Sequence, residues 1–158
     1  MPVDDFEDFF TANYEAVVQA LRIAVGDAAR AEEAAQEAFA RAWARWRRVR
    51  AMDRPVAWVY VVALNVERKR WRRASELLVE PFEVACDPTE QAARDFDLRA
   101  AVKRLPERQR AAIALRYLAD LPVADLARAM GCADGTVKAT VHQALRSLRI
   151  SLEDARED

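Results

Sequence analysis

Thr136, Lys138, Thr140, His142, Gln143 and Arg146 can each meet a phosphate or a base edge, and they crowd the end of one stretch, LPVADLARAMGCADGTVKATVHQALRSLR, Leu121 to Arg149. Between them Val137, Val141, Leu145 and Leu148 recur at spacings of three and four, which predicts a helix with that apolar stripe buried. Upstream, Ala127 is small enough for a crossing helix, and Gly131 supplies the backbone freedom of a tight turn. A helix that is apolar on one side and hydrogen-bonding on the other, behind a glycine turn, is suited to lie in a major groove. The plain alternative is a helical hairpin that packs and reads nothing. Gly135 and Thr136 open the second helix and offer backbone N–H groups and a hydroxyl to a phosphate. Asp134 is its cap or first-turn acid. His142, the sole histidine, lacks metal-ligand neighbours and is either a DNA-facing or an ordinary surface residue.

A second polyanion-facing candidate is the run RKRWRR, which brings Arg68, Lys69, Arg70, Arg72 and Arg73 together around Trp71, three residues after Asn65. The basic side chains suit phosphates. Trp58 and Tyr60 are possible stacking platforms. The apolar helix around Trp58 favours a core position for it, whereas Trp71, among arginines, is the better surface aromatic. No nucleophile–base pair, metal cluster or phosphate-binding glycine loop accompanies these residues, so the expectation is a binding protein with no catalytic residue, metal or cofactor.

The elements that must position them read as helices. The 158 residues are 53% hydrophobic, ample for a core, and contain only 3 Gly, too few for a sheet-and-turn protein. Phe6, Phe10, Tyr14, Val17, Val18, Leu21 and Val25 make one apolar face, which Gly26-Asp27 ends. A second helix is expected from about Ala31 to Val49, with Ala35, Phe39, Ala42, Trp46 and Val49 inward, and its acids preceding its arginines in the order the helix dipole favours. Pro55 opens a third, through Val59, Val62, Ala63 and Val66 to Arg73. Periodicity lapses from Ala74 to about Asp95 and resumes at Phe96, Leu98, Val102 and Leu105. Pro106 then starts a helix bearing Ile113, Leu115 and Leu118, and Pro122 starts the helix-turn-helix. The expected fold is all-α: two small helical domains, 1–73 and 96–150, joined by an acidic linker, 74–95, and followed by a frayed acidic tail, 151–158.

Charge follows the same division. The overall charge of −1 resolves into −7 over residues 1–40, +9 over 41–73, −6 over 74–98, +6 over 99–150 and −3 over the last eight. Two basic blocks held apart by acid suit two polyanion-facing modules. Cys86 and Cys132 have neither disulfide-framework nor metal spacing, so a reducing cytoplasm is the expected compartment. The acidic N-terminus has no signal-peptide pattern, and no run approaches the roughly 18 apolar residues of a membrane span.

Three motifs, in order, resemble the extracytoplasmic-function sigma factors of bacterial RNA polymerase. AEEAAQEAFARAW, Ala31 to Trp43, is similar to the family's core-polymerase-binding helix; RPVAWVYVVALNVERKRWRR, Arg54 to Arg73, to its −10-melting helix; and the segment from Leu105 to Arg149, with LP, LRY and GTVK in register, to its −35 domain. The resemblance implies that Glu33, Gln36, Glu37 and Arg41 bind core RNA polymerase while Phe39 and Trp43 pack inward. It implies that Asn65 and the loop before its helix, about Arg47 to Arg54, hold a base flipped from the opening duplex, while Arg68, Lys69, Arg72 and Arg73 hold −10 phosphates. Thr136, Lys138, Thr140, His142, Gln143 and Arg146 would then read the −35 element. Relatives commonly follow GTVK with Ser-Arg, where this chain has Ala139 and Thr140, so one potential DNA contact is missing.

The implied function is a promoter-specificity subunit whose partners are core RNA polymerase and promoter DNA, with an anti-sigma factor as a further partner by analogy. The implied linker threads the polymerase's RNA path; its acid can equally fold back on the basic domains or serve as a solubilising tether. Two other functions stay open on the sequence: an autonomous helix-turn-helix regulator, and a sigma-like interaction module without DNA readout.

Overall fold

The computed structural model describes residues 2–76 and 93–157, with side chains described over 5–69 and 98–154. Among the described residues every regular element is helical: α1 (Pro2–Val25), α2 (Ala28–Ala44), α3 (Trp46–Val49), α4 (Pro55–Glu76), α5 (Ala93–Arg104), α6 (Glu107–Ile113) with a π-helical turn after it (Ala114–Leu118), α7 (Val123–Met130) and α8 (Asp134–Glu157). α4 and α5 each reach three residues into the segment expected as linker, and the expected frayed tail is helical through Glu157. The remainder of that segment, with Cys86, lies outside the described residues.

The boundaries follow local chemistry. Gly26 adopts φ +81° and ends α1, where a side chain would be strained. Asp27 then caps α2 earlier than the periodicity suggested, its Oδ1 accepting from the Arg30 N–H at 3.0 Å. Asp27→Ala is expected to cost about 1 kcal/mol, measured by urea unfolding. The helix expected to continue to Val49 breaks at Arg45, whose N–H is shared between the carbonyls of Arg41 and Ala42 at 3.1 and 3.2 Å. The break lets Trp46 and Val49 of α3 turn into the core, so the apolar face read from the sequence is kept although the helix is not. Pro55 stands at the first position of α4, where its missing N–H has no helical partner to lose.

Aromatic packing joins α1 to α2 and α3. Phe10 meets Phe39 edge-on at 5.2 Å, and Phe6 meets Trp46 edge-on at 5.3 Å. Trp43 is a correction: it packs its edge on Phe6 at 5.1 Å but is 48% exposed, so it points outward rather than inward. Tyr60 goes the other way, buried in the core with its hydroxyl pKa pushed up to about 12 by desolvation, and is no stacking platform. Trp58 packs against the core as expected, half-buried.

The core does not stop at the boundary between the halves. Leu21 and Val25 of α1, Leu64 of α4, Leu115 of the π-helical turn and Leu126 and Met130 of α7 belong to one buried cluster. α1 lies against α2, α6 and the π-helical turn, while α4 lies against α2 and α7. A smaller cluster of Ala101, Val102, Leu105, Ile113, Ala144 and Leu148 joins α5, α6 and α8, and Ile23 of α1 touches both clusters. Leu98 and Leu118, expected on buried faces, are 46% and 56% exposed. Leu118 is the last residue of the π-helical turn, where the regular helical period on which its expected burial rested no longer holds.

Candidate nucleic-acid interface

α8 carries the first candidate surface. Val137, Ala144 and Leu148 face inward with Val141 half-buried beside them, and Thr136, Lys138, His142, Gln143 and Arg146 are exposed. Leu145 is a correction: it is 42% exposed, and Ala144 takes the buried place expected for it. A turn of 3.6 residues puts the middle of the outward face at Gly135, Ala139, His142 and Arg146, with Lys138 on one flank and Thr136 and Gln143 on the other. Two of the four central positions carry no side chain longer than a methyl group, so the backbone of α8 can come close to whatever it meets. Thr140 is half-buried and spends its hydroxyl proton on the Thr136 carbonyl at 2.7 Å, leaving the oxygen only as an acceptor.

The turn before α8 has the geometry its glycine predicts. Gly131 takes φ +66°, and the Cys132 N–H closes on the Ala127 carbonyl at 3.1 Å. Ala127 is buried where the helices cross. Arg108 of α6 reaches the Met130 carbonyl at 3.4 Å, tying the turn to the helix before it. Asp125 and Arg128 pair along α7.

α4 carries the second surface. Asn65 is half-buried, Lys69 exposed, and the Arg68 guanidinium donates to Asn65 Oδ1. With its oxygen engaged, Asn65 has its amide NH2 left to offer a base acceptor. The side chains of Arg70, Trp71, Arg72 and Arg73 lie outside the described residues. The helix is anchored by a pair that the sequence reading missed: Glu67, fully buried, accepts from Arg30 of α2 at 2.7 Å. The signal was present, because Val59, Ala63 and Glu67 recur every four residues and so share the inward stripe.

The arginine that joins the halves was also missed. Arg110 of α6 donates from Nε to the Ala24 carbonyl at 3.2 Å and from Nη2 to the Val25 carbonyl at 2.9 Å, capping the C-terminus of α1. Burial lowers its pKa, Glu107 opposes that shift and Arg30 adds to it. Its guanidinium also packs under Gly26, where an added Cβ would lie 3.0 Å from Cζ.

On α2, Glu33, Gln36 and Glu37 are exposed as expected, and Arg41 pairs with Glu37 at 2.9 Å. An exposed pair of this kind fixes side-chain direction more than it stabilises. Trp43 stands on the same outward face, at helical spacing from Gln36 through Ala40. That adds an aromatic anchor to an acidic surface.

Comparison with known proteins gives matches along most of the chain. The family described as Sigma-70 region 2 matches residues 9–76, and the family described as Sigma-70, region 4 matches residues 95–148. The RNA polymerase sigma-E factor of Streptomyces coelicolor is 32% identical over 153 residues, covering 94% of this chain and 86% of that protein. The ECF RNA polymerase sigma factor SigL of Mycobacterium tuberculosis is 32% identical over 144 residues, covering 85% and 81%. Among solved structures, the sigma factor RpoE of Bartonella quintana, co-crystallised with the anti-sigma factor NepR, superposes with a TM-score of 0.76 at 26% identity, over 94% of this chain and 97% of that one.

Proposed function

The chain belongs to the extracytoplasmic-function RNA polymerase sigma factors, and from that premise we propose how its residues divide the work of promoter recognition. Residues 1–73 form the module that binds core polymerase and opens the −10 element; residues 96–150 form the module that reads the −35 element; the acidic segment between them is the tether. Core polymerase sits on the outward face of α2, where Glu33, Gln36 and Glu37 meet polar and basic partner groups, Arg41 meets an acceptor or holds Glu37 in place, and Trp43 supplies the apolar anchor. Asn65 receives the extracted base, and Arg68, Lys69, Arg72 and Arg73 hold the adjoining phosphates. Thr136, Lys138, Thr140, His142, Gln143 and Arg146 of α8 meet the −35 duplex. The chain recruits and positions, and the polymerase supplies the catalysis. An anti-sigma protein is a fitting regulator, by likeness to the Bartonella quintana sigma factor crystallised with one. Its place of action is the cytoplasm, with polymerase; among the described residues no helix is long and apolar enough to cross a membrane.

The observation that carries this reading for DNA is the surface of α8: the polar side chains stand outward in a row while Val137, Ala144 and Leu148 turn in. Ala139, exposed at the centre of that row, leaves Lys138, Arg146 and Arg149 as the exposed cations of that face. Holoenzyme binding to a promoter duplex should therefore weaken steeply with salt. Lys138→Ala should weaken binding several-fold and lower the slope of log K against log salt by about 1, if its ammonium meets a phosphate. A salt titration with unchanged slope and affinity would remove Lys138 from the interface. Tight duplex binding by the chain alone, with no transcript when core polymerase is added, would instead favour an autonomous regulator.

A further inference from the structure

Glu67 is the last buried residue of α4 whose side chain is described, and it stands among the residues assigned to DNA: Asn65 is two positions before it, Arg68 and Lys69 directly after. Its Oε2 accepts from Nη2 of Arg30, in the first turn of α2, at 2.7 Å. Arg30 begins the side of α2 that Glu33 and Glu37 continue, three and seven residues on. The pair therefore runs from the helix assigned to polymerase straight to the stretch of α4 that carries Asn65.

Stability does not call for a charge at this place. Val59 and Ala63 share the inward stripe with Glu67, and an apolar side chain of similar length would continue it. A buried ion pair commonly gives no more stability than well-packed apolar residues of the same volume, because both charges lose hydration. What the pair adds is direction. Apolar burial is non-directional and lets a helix turn a little about its axis, whereas a charge-assisted hydrogen bond favours one angle and one distance. Side-chain tips stand roughly 5–6 Å from a helix axis, so a turn of about 20° carries them roughly 2 Å. That is more than a hydrogen bond from the Asn65 amide to a base edge tolerates.

We propose that Arg30 and Glu67 are positioning residues for promoter opening: their ion pair sets the rotation of α4 against α2, so that Asn65 presents its amide to the extracted base while α2 is seated on polymerase. Neither residue needs to touch DNA. The inference rests on the reading of α2 as the polymerase-binding helix and of Asn65 as the base-binding residue.

The test is a mutant cycle in the full chain: Glu67→Met, Arg30→Met and the two together. Each variant directs run-off transcription by core polymerase on a duplex promoter and on the same promoter with its −10 segment already unpaired. The ratio of the two yields is the readout, since a variant that is partly unfolded, or that binds polymerase less, loses on both templates alike. Glu67→Met is expected to lower the duplex-to-unpaired ratio by about five- to tenfold. Glu67→Gln keeps an acceptor oxygen for Arg30 and should stay within about twofold of the unaltered chain. The double variant should be no worse than Glu67→Met, because the pair acts as a unit. Being apolar at both positions, it also keeps the test decisive should Glu67→Met fail to fold. An unaltered ratio in Glu67→Met or in the double variant would overturn the proposal, as would a double variant whose loss is the product of two separate losses. Asn65→Ala runs alongside. If it leaves the ratio unchanged, the base-binding reading of α4 fails and takes the proposal with it; if it lowers the ratio while Glu67→Met does not, the proposal alone fails.

Discussion

Leu21→Ala is expected to lower the unfolding free energy by about 3 kcal/mol and to shift a single thermal transition of the whole chain. Leu21 is fully buried near the end of α1, the helix that lies against α2 on one side and α6 with the π-helical turn on the other. Shortening it to alanine removes transfer free energy and leaves a cavity that backbone on both sides resists closing, which places the cost within the usual range of about 2–5 kcal/mol. For a chain of this size each kcal/mol moves the midpoint by roughly 2–4 °C, so a fall near 10 °C is the calorimetric expectation. The form of the transition matters as much as its size. Because the buried cluster joins residues of both halves, the C-terminal helices should melt with the N-terminal ones. Two transitions, only one of them moved by the substitution, would show that the shared core does not couple the halves.

Asn65→Ala should reduce promoter-dependent run-off transcription by roughly 10- to 30-fold, and the loss should vanish on a template whose −10 segment is already unpaired. A pocket that receives an extracted base must return a few kcal/mol of lost stacking. Removing one amide that reads the base edge gives up about 1.5–2 kcal/mol of that, and about 1.4 kcal/mol is a factor of ten. Arg68 already engages the Asn65 oxygen, so the substitution also removes that hydrogen bond. Asn65→Asp keeps that acceptor and removes the NH2 donor, and it should be as defective as alanine if the donor is what the base meets. A defect that persists on the pre-opened template would place Asn65 in duplex binding or in folding.

Much of this was legible before any coordinates. The helix-turn-helix was visible because a glycine turn, a small crossing residue and a 3.6-residue apolar period each point the same way. Of the outward residues of α8, Thr136, Lys138, His142, Gln143 and Arg146 were named and are exposed, while Thr140 is half-buried and the exposed Arg149 was not among those named. At Leu145 the sequence offers two solutions: Ala144 and Leu145 both fit an apolar stripe of ordinary width, and the packing of α8 against α5 and α6 selects the smaller. Trp43 failed for a related reason, because an aromatic at the edge of a stripe can close a core or flank it. The π-helical turn at Ala114–Leu118 leaves no mark in composition, since its residues are ordinary helix formers. Glu67 stands at the spacing of Val59 and Ala63 but carries a charge, and only a partner such as Arg30, far away in sequence, lets a charge stay within an apolar stripe. The joined halves were least legible of all. Periodicity identifies which face of a helix is apolar and leaves its partner unnamed, so the contact of Arg110 with the end of α1 could not be read from it.

The central claim is that this chain gives core RNA polymerase its choice of promoter, and run-off transcription measures that directly. Purified core polymerase, with and without the chain, would be presented with linear templates, the promoter region upstream of the chain's own gene among them. The account predicts discrete transcripts that start at fixed sites only when the chain is present, weaken with salt, and fall with Asn65→Ala. Transcripts that are the same with and without the chain, or none at all while the chain alone binds the duplex tightly, would contradict it.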